Sequence, residues 1–188
     1  MKIILGSQSK WRRELLARMG YQFDVMTPDI DEKAIRDDDA WNLTLRLAHA
    51  KADALLPCLH LGLLITSDQV VVCDGEILEK PRDSGEARRY LEKYGKFPAE
   101  TVTAVVVTNT VTRKRTEGID VARVVFRPIP ADVIDRLIEA GEILHHAGAF
   151  SLEDPLLEDY VERVDGEPES IMGLPREMME RLLGEVGG

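Results

Sequence analysis

Within seven residues, Ser7-Gln8-Ser9-Lys10-Trp11-Arg12-Arg13 places two hydroxyls, three cations and one indole side by side. Hydroxyls and guanidiniums donate hydrogen bonds in shapes that suit phosphate oxygens. The run lies between apolar Ile3, Ile4 and Leu5 and a helical repeat of Leu15, Leu16 and Met19, so the spacing predicts a strand-to-helix turn. At such a turn the free backbone N–H groups and the positive end of the helix dipole favour an anion. The alternative is a Ser N-cap with a solvated basic first turn, and for Trp11 a core aromatic that anchors the helix.

Other residues carry chemistry further along the chain. Asp68 lies between the apolar segments Leu61–Thr66 and Val70–Cys73, which predicts two strand pieces with its carboxylate emerging at an edge or bulge. There it would serve as a general base or a metal ligand; the alternative is an Asp that ends a strand and bonds the next turn. Lys51 stands in Ala48-His49-Ala50-Lys51-Ala52, where small neighbours let a long side chain reach a cleft. Lys80-Pro81 follows a strand and could aim a cation at phosphate. For both lysines the alternative is ordinary solvation. Asp29, Asp31 and Glu32 form an acidic turn whose oxygens suit Mg²⁺ or Mn²⁺, or simply a solvated loop. His145-His146 reads as structural or surface, because adjacent side chains need not converge on one site. Glu153 follows the small-residue run Ala147-Gly148-Ala149 on a loop that could face a ligand.

The elements that must position these residues are legible in outline. Tyr21–Met26 predicts a strand, 41–56 a helix ending at Pro57, Ser84–Tyr94 a helix, and Pro130–Ile138 a helix stopped near Gly141. Asp74-Gly75 marks a hairpin. The Val- and Thr-rich Glu100–Thr110 and the later Val121–Phe126 predict a long hairpin. Residues 145–168 read as irregular apart from a strand near Tyr160–Val164, and a final helix starts near Pro175 and runs to Leu183. The fold class is α/β, with a mixed sheet and flanking helices.

Composition narrows the function. A chain of 188 residues with 44% hydrophobic and 31% charged residues is expected to form one domain with one well-filled core. No window approaches the roughly 18 apolar residues of a membrane span, and no signal peptide is evident, so a cytoplasmic protein is expected. Cys58 and Cys73 lack metal-type or redox-type spacing and read as buried free thiols. A net charge of −10 argues against nonspecific nucleic-acid binding. Cations concentrated in one pocket suit a small phosphorylated ligand instead.

Taken in order, Ser7-Gln8-Ser9 with Trp11-Arg12-Arg13, Asp31-Glu32, Lys51, Ser67-Asp68-Gln69-Val70-Val71, Lys80-Pro81, Ala147-Gly148-Ala149-Phe150 and Gly173-Leu174-Pro175 form an ordered set. The chain thereby resembles the Maf family of nucleoside triphosphate pyrophosphatases over nearly its whole length. The resemblance implies a single domain, 1–188, with a mixed sheet bent around a deep cleft, often in a homodimer. It implies cleavage between the α- and β-phosphates with a divalent metal cation, Mg²⁺ or Mn²⁺, and assigns the proton acceptor to Asp68. Ser7, Ser9, Arg12, Arg13, Lys51 and Lys80 would bind the triphosphate, with Glu32 and Asp68 as metal-ligand candidates.

Three positions differ between branches of that family. Where enzymes for dTTP and UTP carry Arg, Thr and Gln, this chain has Trp11, Gln69 and Glu153, as in the branch acting on 7-methyl-GTP. Physical chemistry agrees with that choice. N7-methylated guanine is cationic and attracts an indole face by roughly 0.5–2 kcal/mol, and a carboxylate accepts from guanine N1–H and the exocyclic amine together. Lys10, Glu79 and Asp154-Pro155 depart from the Pro, Gly and Gly that the family's motifs commonly hold. The competing expectations are hydrolysis of dTTP, UTP or another noncanonical nucleotide, and a nucleotide-responsive binding protein affecting cell division.

Overall fold

The computed structural model describes residues 2–187, and its centre is a sheet of seven strands. These are β1 (Ile3–Gly6), β2 (Phe23–Met26), β3 (Leu63–Cys73), β4 (Glu76–Leu78), β5 (Ala99–Asn109), β6 (Arg115–Phe126) and β7 (Val161–Asp165). Along the sheet the order is β2-β1-β3-β5-β6-β7, with β4 paired to β3. β1 runs parallel to β2 and β3, whereas the β3–β5, β5–β6, β6–β7 and β3–β4 pairs are antiparallel. The expected mixed α/β architecture is therefore what the chain adopts.

Among the described residues, six α-helices flank the sheet: α1 (Lys10–Arg18), α2 (Ala40–Leu55), α3 (Ser84–Tyr94), α4 (Ala131–Ala140), α5 (Pro168–Ile171) and α6 (Arg176–Gly187). Side chains alternate faces along a strand, and β3 uses this to separate two functions. Leu64, Thr66, Asp68 and Val70 face α2, where Leu64 packs with Ala52 and Leu55, Thr66 donates to the Ala48 carbonyl, and Val70 meets Leu43 and Leu47. Leu63, Ile65, Ser67 and Gln69 face the other way. There Leu15, Leu16, Leu174, Met179 and Leu182 of α1, α6 and the turn before it close a second core. Beyond Gln69 a third cluster gathers Val71, Tyr90, Tyr94, Phe126, Leu137 and Phe150 beneath α3 and α4. Asp68 and Gln69 thus lie where β3 passes from one half of the molecule to the other.

Several sequence expectations need correction. β3 is one strand of 11 residues whose pairing with β5 runs unbroken from Leu63 to Val72, so Asp68 sits mid-strand and not at an edge or bulge. The reason is that each polar side chain of Ser67-Asp68-Gln69 finds a partner, and the backbone keeps its ladder. Cys58 is exposed, because the short 3₁₀ turn Leu56–Cys58 after α2 lies on the surface, whereas Cys73 is buried as expected. β6 begins at Arg115, six residues before the expected Val121: pairing with β5 carries even its charged start. α6 extends past Leu183 to Gly187. Among the described residues, no helix is long and apolar enough to cross a membrane.

Candidate active site

A cleft of about 910 Å³ opens over the middle of β3, near the upper end of the roughly 300–1,000 Å³ usual for small-molecule sites. Its floor comes from Asp68, Gln69 and Val70. One wall is the turn from β1 into α1, and others are the segment 28–36, Lys51 of α2, Glu79-Lys80 after β4, and the stretch from Glu142 to Leu152.

β1 ends at Gly6, and the chain turns through Ser7, Gln8 and Ser9 into α1. Ser7 Oγ accepts from the Ser9 N–H at 3.1 Å, and Ser9 caps α1 by accepting from the Arg12 N–H at 3.3 Å. Both hydroxyls are therefore fixed by the turn that they build. Trp11 and Arg12 leave the first turn of the helix on its cleft side. Arg12 is anchored twice across the molecule: its Nε donates to the Gly173 carbonyl at 2.9 Å, and one Nη donates to the Ser67 carbonyl at 2.6 Å. Planar guanidinium suits this, because the remaining N–H groups of the fork keep their direction toward the cleft.

Gly173 is required where it stands. Its φ is +93°, and a Cβ there would lie 3.2 Å from Arg12 Nε and 3.3 Å from Gln69 Oε1. Its carbonyl also accepts from Ser67 Oγ at 3.1 Å. Gln69 holds the same segment, donating through Nε2 to Thr103 Oγ1 at 2.8 Å and to the Ser170 and Ile171 carbonyls at 2.8 and 3.2 Å. Those carbonyl partners can only accept, which orients the amide and leaves Oε1 as the end without these bonds. Ser170 in turn bonds Asp120 of β6.

On the α2 face, Lys51 is buried and its Nζ lies 2.6 Å from Asp68 Oδ1 and 3.1 Å from Glu32 Oε1. Burial pushes the Asp68 carboxyl above its usual range, and Lys51 and then Arg12 oppose that rise with their charges. Burial likewise pulls the Arg12 guanidinium down, against Asp68 and Glu32; it remains protonated. The result is a carboxylate whose affinity for a proton is raised, held beside two cations at the bottom of a polar cleft. That combination is typical of a catalytic base.

The donor set also answers whether a divalent cation fits. Glu32 and Asp68 come from separate elements and converge on one positive charge, the Lys51 ammonium. Among the described residues, no three or more His, Cys, Asp or Glu side chains are grouped to hold a metal ion. Two hard carboxylates suit Mg²⁺ or Mn²⁺ bound jointly by protein and substrate phosphates.

Of the residues singled out in the sequence, Ser7, Ser9, Trp11, Arg12, Glu32, Lys51, Asp68, Gln69 and Lys80 all line this one cleft. Arg13 is exposed and outside its lining. Glu153 is outside the lining too, and bonds Arg18 of α1 at 3.1 Å; Ser151 and Leu152 reach the cleft before it. Sequence reasoning missed His145 and His146, which both line the wall. It also missed the framework of Thr103, Ser170 and the Gly173 carbonyl. A Gly-Leu-Pro turn before a helix carries no sign that its carbonyl is an acceptor for a distant Arg.

The chain is similar to known proteins over nearly its whole length. Residues 2–186 match the family described as Maf-like protein. The chain is 43% identical to a 7-methyl-GTP pyrophosphatase of Dictyostelium discoideum, covering 98% of this chain and 96% of the relative. It is 36% identical to a 7-methyl-GTP pyrophosphatase of Idiomarina loihiensis, covering 93% and 89%. It is 34% identical to a dTTP/UTP pyrophosphatase of Vibrio vulnificus, covering 98% of both chains.

Proposed function

Because the chain belongs to the Maf-like protein family, we propose that it is a nucleoside triphosphate pyrophosphatase acting on 7-methyl-GTP, which it hydrolyses to 7-methyl-GMP and pyrophosphate. The observation that carries the reaction is Asp68: a buried carboxylate 2.6 Å from Lys51 Nζ on the floor of a polar cleft that also holds Arg12 and Lys80. Water attacks the α–β phosphoanhydride, Asp68 accepts the proton that water loses, and the P–O bond to the departing phosphoryl oxygen breaks. Arg12, Lys51, Lys80 and the Ser7 and Ser9 hydroxyls hold the phosphate oxygens and the charge that develops on them, where positioning and electrostatics do most of the work. Glu32 and Asp68 would hold a divalent cation, which supplies further charge neutralisation when bound.

Base choice rests on Trp11. Its half-buried ring reaches the cleft, and the Lys10 ammonium lies 5.5 Å from its centroid, so this indole already carries a cation on its face. Methylated guanine would present a flat cation to the indole in place of that ammonium. Gln69 Oε1, with Nε2 committed elsewhere, is available as an acceptor for a guanine N–H. Glu153 joins that recognition on exchanging its bond to Arg18. The reading extends to a cytoplasmic homodimer that takes no nucleic acid, supported by the resemblance and by the charge of −10.

The test is kcat/KM for pyrophosphate release from 7-methyl-GTP, GTP, dTTP, UTP and CTP with Mg²⁺ or Mn²⁺. The proposal expects 7-methyl-GTP to lead by on the order of a hundredfold over the pyrimidines. A lead for dTTP or UTP keeps the reaction and overturns the base assignment. Failure to turn over any of the five moves a nucleotide-responsive binding protein to the front.

A further inference from the structure

The indole of Trp11 does not stand alone in the cleft. The imidazole of His146 packs against it, with ring centroids 5.9 Å apart and planes tilted by 42°, and both residues line the cleft. A base cannot slide between them, since a sandwich needs roughly 7 Å, twice the ~3.5 Å of ring contact. The two rings form a corner, with one surface for stacking and the other flanking it. We infer that His146 is a specificity-determining residue of this site: its imidazole completes the Trp11 corner that receives a cationic nucleobase, which a permanent positive charge at this position would repel. This deepens the 7-methyl-GTP reading and rests on it.

The surroundings of His146 hold the ring in place and disfavour its protonation. It opens the 3₁₀ turn Ala147–Ala149, where Gly148, with φ +68°, is clamped by Tyr94 and Val71. Tyr94 Oη donates to the Gly148 carbonyl at 2.6 Å, and the Gly148 N–H donates to the Glu79 carbonyl at 3.0 Å. The backbone next to the ring is therefore held firmly. Burial lowers the proton affinity of His146; Glu142 on the preceding turn and Asp154 on the following loop oppose this, and neighbouring His145 and Lys80 reinforce it. From α1 the facing groups are Trp11 and, over that indole, Lys10. A further positive charge at the corner would compete with the base for the field that draws a cation to Trp11.

The charge of the side chain, separated from its shape, tests the inference. His146→Lys adds a permanent cation, and His146→Phe keeps a flat uncharged ring. 7-Methyl-GTP and GTP differ only by the methyl group and its charge, so the readout is their ratio of kcat/KM, with KM followed separately. The expected result is a ratio lowered about tenfold in His146→Lys, mainly through the KM for 7-methyl-GTP, and retained within about threefold in His146→Phe. Quenching of tryptophan fluorescence by 7-methyl-GMP and GMP gives the same comparison without turnover, and circular dichroism shows whether each variant is folded. If His146→Lys fails to fold, a ratio lost in His146→Phe overturns the inference, and one kept there supports it. Equal ratios in both variants overturn it. A wild-type ratio near one overturns the substrate reading and the inference with it; a wild-type ratio above about ten that His146→Lys leaves intact overturns the inference alone.

Discussion

Arg12 reaches the cleft already oriented. Two of its donors are spent on the Gly173 and Ser67 carbonyls, and a lysine at this place would offer one rotating ammonium in exchange for a planar fork. Arg12→Lys is accordingly expected to lower kcat/KM by about a hundredfold although the charge is kept. A change of less than threefold in steady-state kinetics would show that Arg12 contributes only charge. The same residues explain what was legible at this scale. Trp11, Arg12, Lys51 and Asp68 were legible as an ordered set, because each type suits phosphate, base or proton chemistry, although each alone also has an ordinary structural use. His146 did not, since nothing in a His-His pair tells which ring meets an indole far away in the chain. Glu153 was singled out by its loop and given its base-choice role by resemblance, and its bond to Arg18 belongs to geometry that spacing does not encode.

Elements with strong local signals were readable. α2 follows its apolar repeat from Ala40 to Leu55, and Asp74-Gly75 turns β3 into β4 with both residues at positive φ. β3 defeats the same logic, because Ser-Asp-Gln favours turns, yet Lys51, Gly173 and Thr103 satisfy those side chains inside the sheet. Local rules fail where the site is built. α3 offers a test of an element by itself. Asp83 caps it by accepting from the Glu86 N–H at 2.9 Å, and Glu86 reaches back to the Arg82 N–H at 2.8 Å and to the Arg82 side chain. The Arg82 side chain first, and then its backbone N–H, lower the Glu86 carboxyl from the ordinary 4.5 to about 2. A depressed carboxyl contributes stability that is fully present above the unfolded value and is lost as pH falls through the folded one. Glu86→Gln should therefore cost about 0.5–1 kcal/mol at neutral pH, after solvent screening. That deficit should shrink toward zero as pH falls from about 4.5 to about 2. Urea denaturation at pH 7 and pH 3 measures it, and an unchanged deficit at the lower pH would contradict the assignment.

At the scale of the whole molecule, a chain of net charge −10 collects Lys10, Arg12, Lys51 and Lys80 around one cleft. It thereby suits a small anion without a basic surface. The sheet accounts for the placement: β3 runs at its centre through both halves of the molecule, and the cleft opens where it crosses. Lys51 gives this arrangement a thermodynamic consequence. Its ammonium already bridges Glu32 and Asp68 and offsets part of their charge, so the fold is expected to stand without a divalent cation. Chelation by EDTA is expected to reduce turnover by more than about a hundredfold while moving Tm by less than about 2 °C. A fall in Tm of about 5 °C or more on chelation would mean that a metal ion supports the fold itself.

The central claim joins one reaction to one residue, and product analysis reaches both at once. Wild type and Asp68→Asn are incubated with 7-methyl-GTP and Mg²⁺, and the nucleotide and phosphate products are separated by anion exchange. The account predicts equimolar 7-methyl-GMP and pyrophosphate from the wild type, at a rate about 10²–10⁴ times that of the folded Asp68→Asn variant. Release of 7-methyl-GDP with orthophosphate, or equal rates from the two proteins, would contradict it.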